Sequence, residues 1–369
     1  MTLLVFFLIL SILILVHEFG HFIVAKKAGV KVEEFALGFP PRIISKKIGE
    51  TRYSVNALPI GGYVRLFGED EPTETENHRS FFAQALPVKL AVALAGALMN
   101  LLLGIFAFTI LYANIGIPTS QTNYPIIVAV SPDSPAQKSD LKALDRILKI
   151  GDREVKDDKD VKDAVAFYRG KQVQIEVDRT PLTLLPNLFV EKSAKLKVSV
   201  WATPRSDPKA GEGPLGIAID TIPVTKTAFY PPVQMIIKAT QRGLTDSMEF
   251  TRQILFGLSN MVRNLVVSGQ VPGDVSGPVG IFQIVDVVAK TGWLPLLSLV
   301  GVLSINLAVV NALPFPGLDG ARALFVIIHG ATGRKMAPAI EKNIHLIGII
   351  FLLLLILLIS IRDVRRLLG

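Results

Sequence analysis

From Leu3 to Val16 the chain is apolar almost without a break, admits His17, Glu18 and His21, and then resumes with Phe22, Ile23 and Val24. No other feature narrows the fold so far. About 20 apolar residues rising 1.5 Å each span a hydrocarbon core of about 30 Å, so the run predicts a membrane-crossing helix. Ionisable groups inside such a span are costly and by default functional. On a helix His17 and His21 lie one turn apart on one face, where both can ligate a single zinc. Glu18 beside them can take a proton from a water polarised by the metal. The competing expectation, a pair of hydrogen-bonded structural histidines, suits a soluble helix better than this one.

Further apolar runs cover residues 88–113, 294–313 and 344–361, the first being 3–25, and half of the 369 residues are apolar. With a mean hydropathy of +0.47 this excludes an ordinary soluble protein and predicts a membrane α-helical fold with four transmembrane helices. Between the second and third runs lies a mixed, charged stretch with strand-like alternation, the mark of a separate soluble domain. The expected divisions are 1–115, 116–225, 226–292 and 293–369. The net charge of +8 collects beside the apolar runs rather than along one stripe, so the expected partner is a lipid bilayer and not nucleic acid. With no cysteine in the chain, any zinc must be held by histidine and carboxylate.

No basic residue precedes the first run, and Lys26 and Lys27 follow it, the reverse of a secretory signal. The positive-inside rule therefore puts the N-terminus outside, residues 26–89 in the cytoplasm and the soluble domain outside. Arg362, Arg365 and Arg366 after the fourth run oppose this topology, but early spans dominate orientation. His17 then sits roughly 24 Å from the outer end of its helix, within the membrane near the cytoplasmic side.

After the first run, residues 34–64 alternate like strands around Gly61-Gly62, which predicts hairpins turning at that pair and packed against the membrane site. A polar entry over 77–84 leads to the second run, where Ala93, Ala95, Gly96 and Ala97 allow close helix packing and Asn100 supplies a buried hydrogen-bonding group. Residues 235–267 have helical periodicity with Lys238, Arg242, Arg252 and Arg263 on the polar side, an amphipathic helix expected on the membrane surface. Residues 276–281, Ser-Gly-Pro-Val-Gly-Ile, are expected to turn the chain into the third run. That run ends in Asn311-Ala312-Leu313-Pro314-Phe315-Pro316-Gly317-Leu318-Asp319-Gly320, and irregular backbone at membrane depth is tolerated only when buried in protein or lining a cavity. His78, His329 and His345 are the remaining histidines. The first and third spans run in the same direction, so Asp319 reaches the depth of the histidine pair and is the best third ligand for a catalytic zinc.

Within the soluble stretch, strand, short helix, strand, turn, helix and strand follow in an order that resembles a PDZ domain, carried by "SPA" at 134–136 and "DRILKIGDREV" at 145–155. Asp140 and Leu144 stand where that pattern usually has glycine, residues 180–195 look like an insertion, and 213–217 open a last strand. A PDZ groove takes an extended peptide by strand addition, so a peptide ligand is one expectation and a gate or spacer the other.

Over essentially its whole length the chain resembles the site-2 protease family of intramembrane zinc metalloproteases, peptidase family M50, and within it the bacterial regulator of sigma-E protease group. The residues that carry this are "HEFGHF", "FALGFPPRI", "PIGGYVRLFGED", "LAGALMN", "SGPVGI" and "NALPFPGLDG". The resemblance implies zinc on His17, His21 and Asp319, Glu18 as catalytic acid/base, and Asn311 near the substrate. It also implies a bacterial inner-membrane location and single-span membrane-protein substrates of the anti-sigma factor or remnant signal peptide type, screened by the soluble domain. A strand edge at Gly61, Gly62 and Tyr63 could pair with the unwound substrate. The alternatives are a membrane-anchored PDZ scaffold with a non-catalytic metal site, and a transporter using the intramembrane charges.

Overall fold

A computed structural model describes residues 2–69, 78–179, 182–185, 188–191, 196–208, 212–268, 277–333 and 338–368. In chain order the elements are α1 (Thr2–Lys27), β1 (Val32–Ile48), β2 (Thr51–Leu66), α2 (Leu86–Ile115), β3 (Ile117–Val130), α3 (Pro135–Lys138), β4 (Arg146–Ile150), β5 (Arg153–Glu154), α4 (Asp158–Phe167) and β6 (Val173–Asp178). There follow β7 (Leu182–Leu185), β8 (Leu188–Glu191), β9 (Lys197–Ala202), β10 (Ile217–Ala228), α5 (Pro232–Ser268), α6 (Pro278–Ala289), α7 (Trp293–Ala312), α8 (Asp319–Thr332) and α9 (Pro338–Leu368). They fall into two compact units, one made of residues 1–112 and 236–369, the other of 113–235.

In the first unit the apolar runs become helices because lipid offers no partner to a free N–H or C=O, and a helix satisfies both within the segment. Among the described residues four are long and apolar enough to cross a membrane: Thr2–Lys27, Leu86–Ile115, Trp293–Ala312 and Ile340–Arg365. Ile9 and Leu13 of α1 pack with Val285 of α6 and Leu299 of α7 in one buried cluster. Where a simple turn was expected after Gly277 there is instead the short apolar helix α6; Ser276 lies outside the described residues, as does Asn77 of the polar entry. Buried Asp363 of α9 explains the Gly-Pro-Val-Gly pattern: its Oδ2 accepts the N–H groups of Gly277 (2.9 Å) and Gly280 (3.1 Å), capping the first turn of α6.

The expected amphipathic helix forms as α5, and part of its polar side is used for packing. Gly243 lies so close to α2 that a Cβ there would stand 3.1 Å from the Ile105 carbonyl oxygen. Phe250 stacks on Phe108 at 5.6 Å, the Tyr112 hydroxyl donates to Asp246, and Arg242 pairs with Asp246 at 3.0 Å.

The hairpin does not turn at Gly61-Gly62. It turns at Gly49-Glu50, where Gly49 has φ +61°, and both glycines of the pair lie inside β2. Residues 34–37 of β1 run between two stretches of β2, opposite 52–55 on one side and 62–65 on the other. The glycine pair serves close approach instead: a Cβ on Gly61 would strike the Phe39 ring at 2.1 Å, and one on Gly62 would come within 3.1 Å of Glu18 Cγ.

The second unit is built on a sheet of order β7-β8-β10-β3-β4-β6-β9, with β5 beside β4. Its core contains Ile127 of β3, Ile147 and Ile150 of β4 on either side of a register shift, and Ile175 and Val177 from alternate positions of β6, together with Val161 and Ala164 of α4. The described parts of residues 180–195, expected as an insertion between strands, form the β7–β8 hairpin beside β10, and β9, the strand that follows them, pairs with β6. Asp140 (φ 61°) and Leu144 (φ 72°) both adopt the left-handed conformation that glycine favours.

Candidate metal centre

The histidine pair is presented by α1, whose 3.6-residue period stacks His17 and His21 on one face. Their Nε2 atoms lie 3.3 Å apart. Asp319 comes from the far side of the chain. Residues 313–318 break out of helix between α7 and α8, and the Gly317 N–H freed there donates to His345 Nδ1 at 3.2 Å. Asp319 then opens α8, where the positive end of the helix dipole suits a carboxylate, and its Oδ2 stands 3.0 Å from His17 Nε2 and 3.1 Å from His21 Nε2.

These three atoms are the described residues' candidate for holding a metal ion. His21 Nδ1 lies 2.8 Å from the Val92 carbonyl oxygen, to which only an Nδ1–H can donate, so its Nε2 keeps the lone pair a metal needs. Bonds of about 2.05 Å to a tetrahedral ion place neighbouring ligand atoms about 3.3 Å apart, close to the 3.0–3.3 Å separations here. Two imidazole nitrogens and one carboxylate oxygen are the donor set of a catalytic zinc with a position left open. The residues fit the ion.

A cavity of about 390 Å³ opens on this cluster, lined by Glu18, Gly62 and Tyr63 as well as the three candidate ligands. Gly61 is turned against Phe39, whose ring stacks on Tyr63 at 6.5 Å. Asn311 stands behind His17, with its Nδ2 3.5 Å from Nδ1, the ring nitrogen that does not face Asp319. His345 and Arg322 also line the cavity, and Arg322, one turn along α8 from Asp319, pairs with Glu69 just past β2.

The sequence reading treated the α2 stretch as packing and missed what it does to the imidazoles. A Cβ on Gly96 would lie 2.3 Å from His21 Nε2 and 2.7 Å from His17 Nε2, so only glycine lets the α2 backbone pass there. Asn100, wholly buried, reaches His17 Nδ1 at 3.2 Å. Val92, Gly96 and Asn100 recur at helical spacing, the one signal that could have placed them on a shared face.

Residues 5–355 match peptidase family M50. A protein of Fusobacterium nucleatum that carries a provisional zinc-metalloprotease name is 33% identical over the whole of this chain and 99% of its own. Zinc metalloprotease RasP of Geobacillus kaustophilus is 26% identical over 98% of this chain and 97% of its own, and the regulator of sigma-W protease RasP of Bacillus subtilis is 28% identical over 99% of each. The match runs from before His17 to beyond Asp319 and so takes in both halves of the metal cluster: the chain belongs to peptidase family M50.

Proposed function

We propose that this zinc metalloprotease, a multi-pass membrane protein, hydrolyses peptide bonds inside the transmembrane segments of single-span membrane proteins. The observation that carries the reading is the convergence of His17, His21 and Asp319 on one point beside Glu18 of the apolar helix α1, in a cavity that also meets β2. Zinc held by the two Nε2 atoms and the Asp319 carboxylate would polarise the scissile carbonyl and ease the deprotonation of water. Glu18 takes the proton of the attacking water and delivers it to the leaving amine.

A helical substrate hides its carbonyls in hydrogen bonds and has to be drawn out locally before it can be cut. Gly62 and Tyr63 lie on a stretch of β2 paired with β1 on one side only among the described strands, which offers an edge for the extended segment, with Gly61 shaping its approach. Asn311 helps hold the substrate. The unit of residues 113–235 acts as a PDZ-like gate that screens substrates by the bulk of their extracytoplasmic part, or takes a peptide itself. The substrate type is an anti-sigma factor or a remnant signal peptide, in keeping with a relative named as a regulator of sigma-W protease. The basic loop after α1 favours a cytoplasmic-side active site in a bacterial inner membrane.

The test is Glu18→Gln in the full chain, reconstituted in proteoliposomes with a panel of single-span substrates. Cleavage is expected to vanish while the protein retains its zinc. Undiminished cleavage rules the mechanism out.

A further inference from the structure

We propose that Asn100 is a positioning residue for the metal site, its side-chain amide turning over to hold His17 in the tautomer that can bind the ion. The proposal rests on the reading of His17, His21 and Asp319 as zinc ligands. His17 Nε2 faces Asp319 Oδ2 at 3.0 Å and His21 Nε2 at 3.3 Å, so Nδ1 is the nitrogen left for the protein to control. A neutral imidazole carries one N–H; when Nε2 gives its lone pair to a metal, the proton must sit on Nδ1 and needs an acceptor. The groups found there are two asparagine amides, with the Nδ2 of Asn100 at 3.2 Å and that of Asn311 at 3.5 Å.

Asn100 is the better placed of the two. It is 0% exposed, and its main-chain carbonyl is pinned by the Ser304 hydroxyl of α7 at 2.7 Å. Its amide oxygen is buried without a hydrogen-bond partner, a state that a native interior rarely leaves uncompensated. A half-turn of the amide exchanges oxygen and nitrogen with almost no change of shape. In the orientation seen here Nδ2 donates to Nδ1, which suits a ring whose Nε2–H points at Asp319. After the half-turn Oδ1 accepts from Nδ1–H, which suits a ring whose Nε2 is a ligand. His21 needs no such device, because the Val92 carbonyl is an acceptor in either state. With Asn100 serving His17, half-buried Asn311 is left free for the substrate.

The experiment measures zinc affinity of the full chain in detergent, by competition with a chromogenic chelator, for wild type, Asn100→Leu, Asn100→Asp and a His17→Ala control. Asn100→Leu keeps the branched outline of the side chain, with somewhat more bulk, and removes the acceptor, and should weaken zinc binding about 10- to 100-fold. Asn100→Asp supplies a permanent acceptor in the same outline and should bind zinc within about threefold of wild type or more tightly, which separates an acceptor role from one that needs the amide N–H donor. Wild-type affinity in the Leu variant overturns the proposal, and so does an Asp variant weaker than that threefold window. Should Asn100→Leu fail to fold, the Asp variant decides alone. If His17→Ala retains wild-type affinity, the ligand assignment itself has failed; if it loses zinc while Asn100→Leu does not, only the role of Asn100 has.

Discussion

In the sheet unit Arg146 is 1% exposed and its guanidinium lies 2.7 Å from Asp178, while wholly buried Asp145 receives Arg179 through Nε and Nη2, each at 2.8 Å. In the helical unit His17, His21 and Asp319 bring three electron-pair donors together, with a negative charge and no strong cation among them. Both regions bury ionisable groups. The first set neutralises itself at the ends of β4 and β6, whereas the second, read as the zinc site, calls for a cation. Burial of charge is thus no mark of function until one asks whether the charges close on themselves.

The contrast can be broken most severely at its metal side. Asp319→Ala should lose zinc and lower cleavage by at least about a thousandfold, the several kcal/mol that a Lewis acid supplies. Amide exchange across residues 113–235 should remain as in wild type, read by mass spectrometry beside zinc analysis. The converse variant, Asp178→Ala, removes the carboxylate that lies 2.7 Å from the buried Arg146 guanidinium and should destabilise the sheet unit by about 3–5 kcal/mol. Its β4 and β6 amides should exchange faster while zinc affinity holds within about twofold of wild type.

Gly96→Ala sharpens the comparison at the site itself. The added methyl would press on both imidazoles, costing about 1–3 kcal/mol of packing and at least about tenfold in zinc affinity, measured by thermal unfolding with and without metal. The smallest effect is expected at Leu144, 55% exposed and left-handed, where little packing is at stake. Leu144→Gly should relieve the Cβ clash and stabilise the sheet unit by about 0.5–1 kcal/mol in denaturant titration.

His17, Glu18 and His21 are readable from local spacing because four residues on a helix make one face, and the apolar run around them removes the ordinary explanation for their charge. Asp319 is readable less directly, from Pro314, Pro316 and Gly317 breaking a helix at a depth where backbone must line something. The hairpin is where local reading misleads. Gly61-Gly62 has the composition of a turn, yet the space it leaves is filled by Phe39 and Glu18, contacts that no window of sequence contains. The same holds for α2, where Gly96 and Asn100 look like helix packing until the imidazoles of α1 are seen against them.

What the chain's order of residues determined unaided is therefore the set of apolar helices, the mixed domain between them and the identity of the chemical groups, since hydropathy and helical period act within one segment. Which groups meet was decided by the tertiary structure: a carboxylate some three hundred residues from the histidines, a glycine that lets them turn inward, and an asparagine behind one ring. The physical reason is that a metal site is a matter of distances between segments, and those distances follow from how the helices pack and not from any stretch of the chain alone.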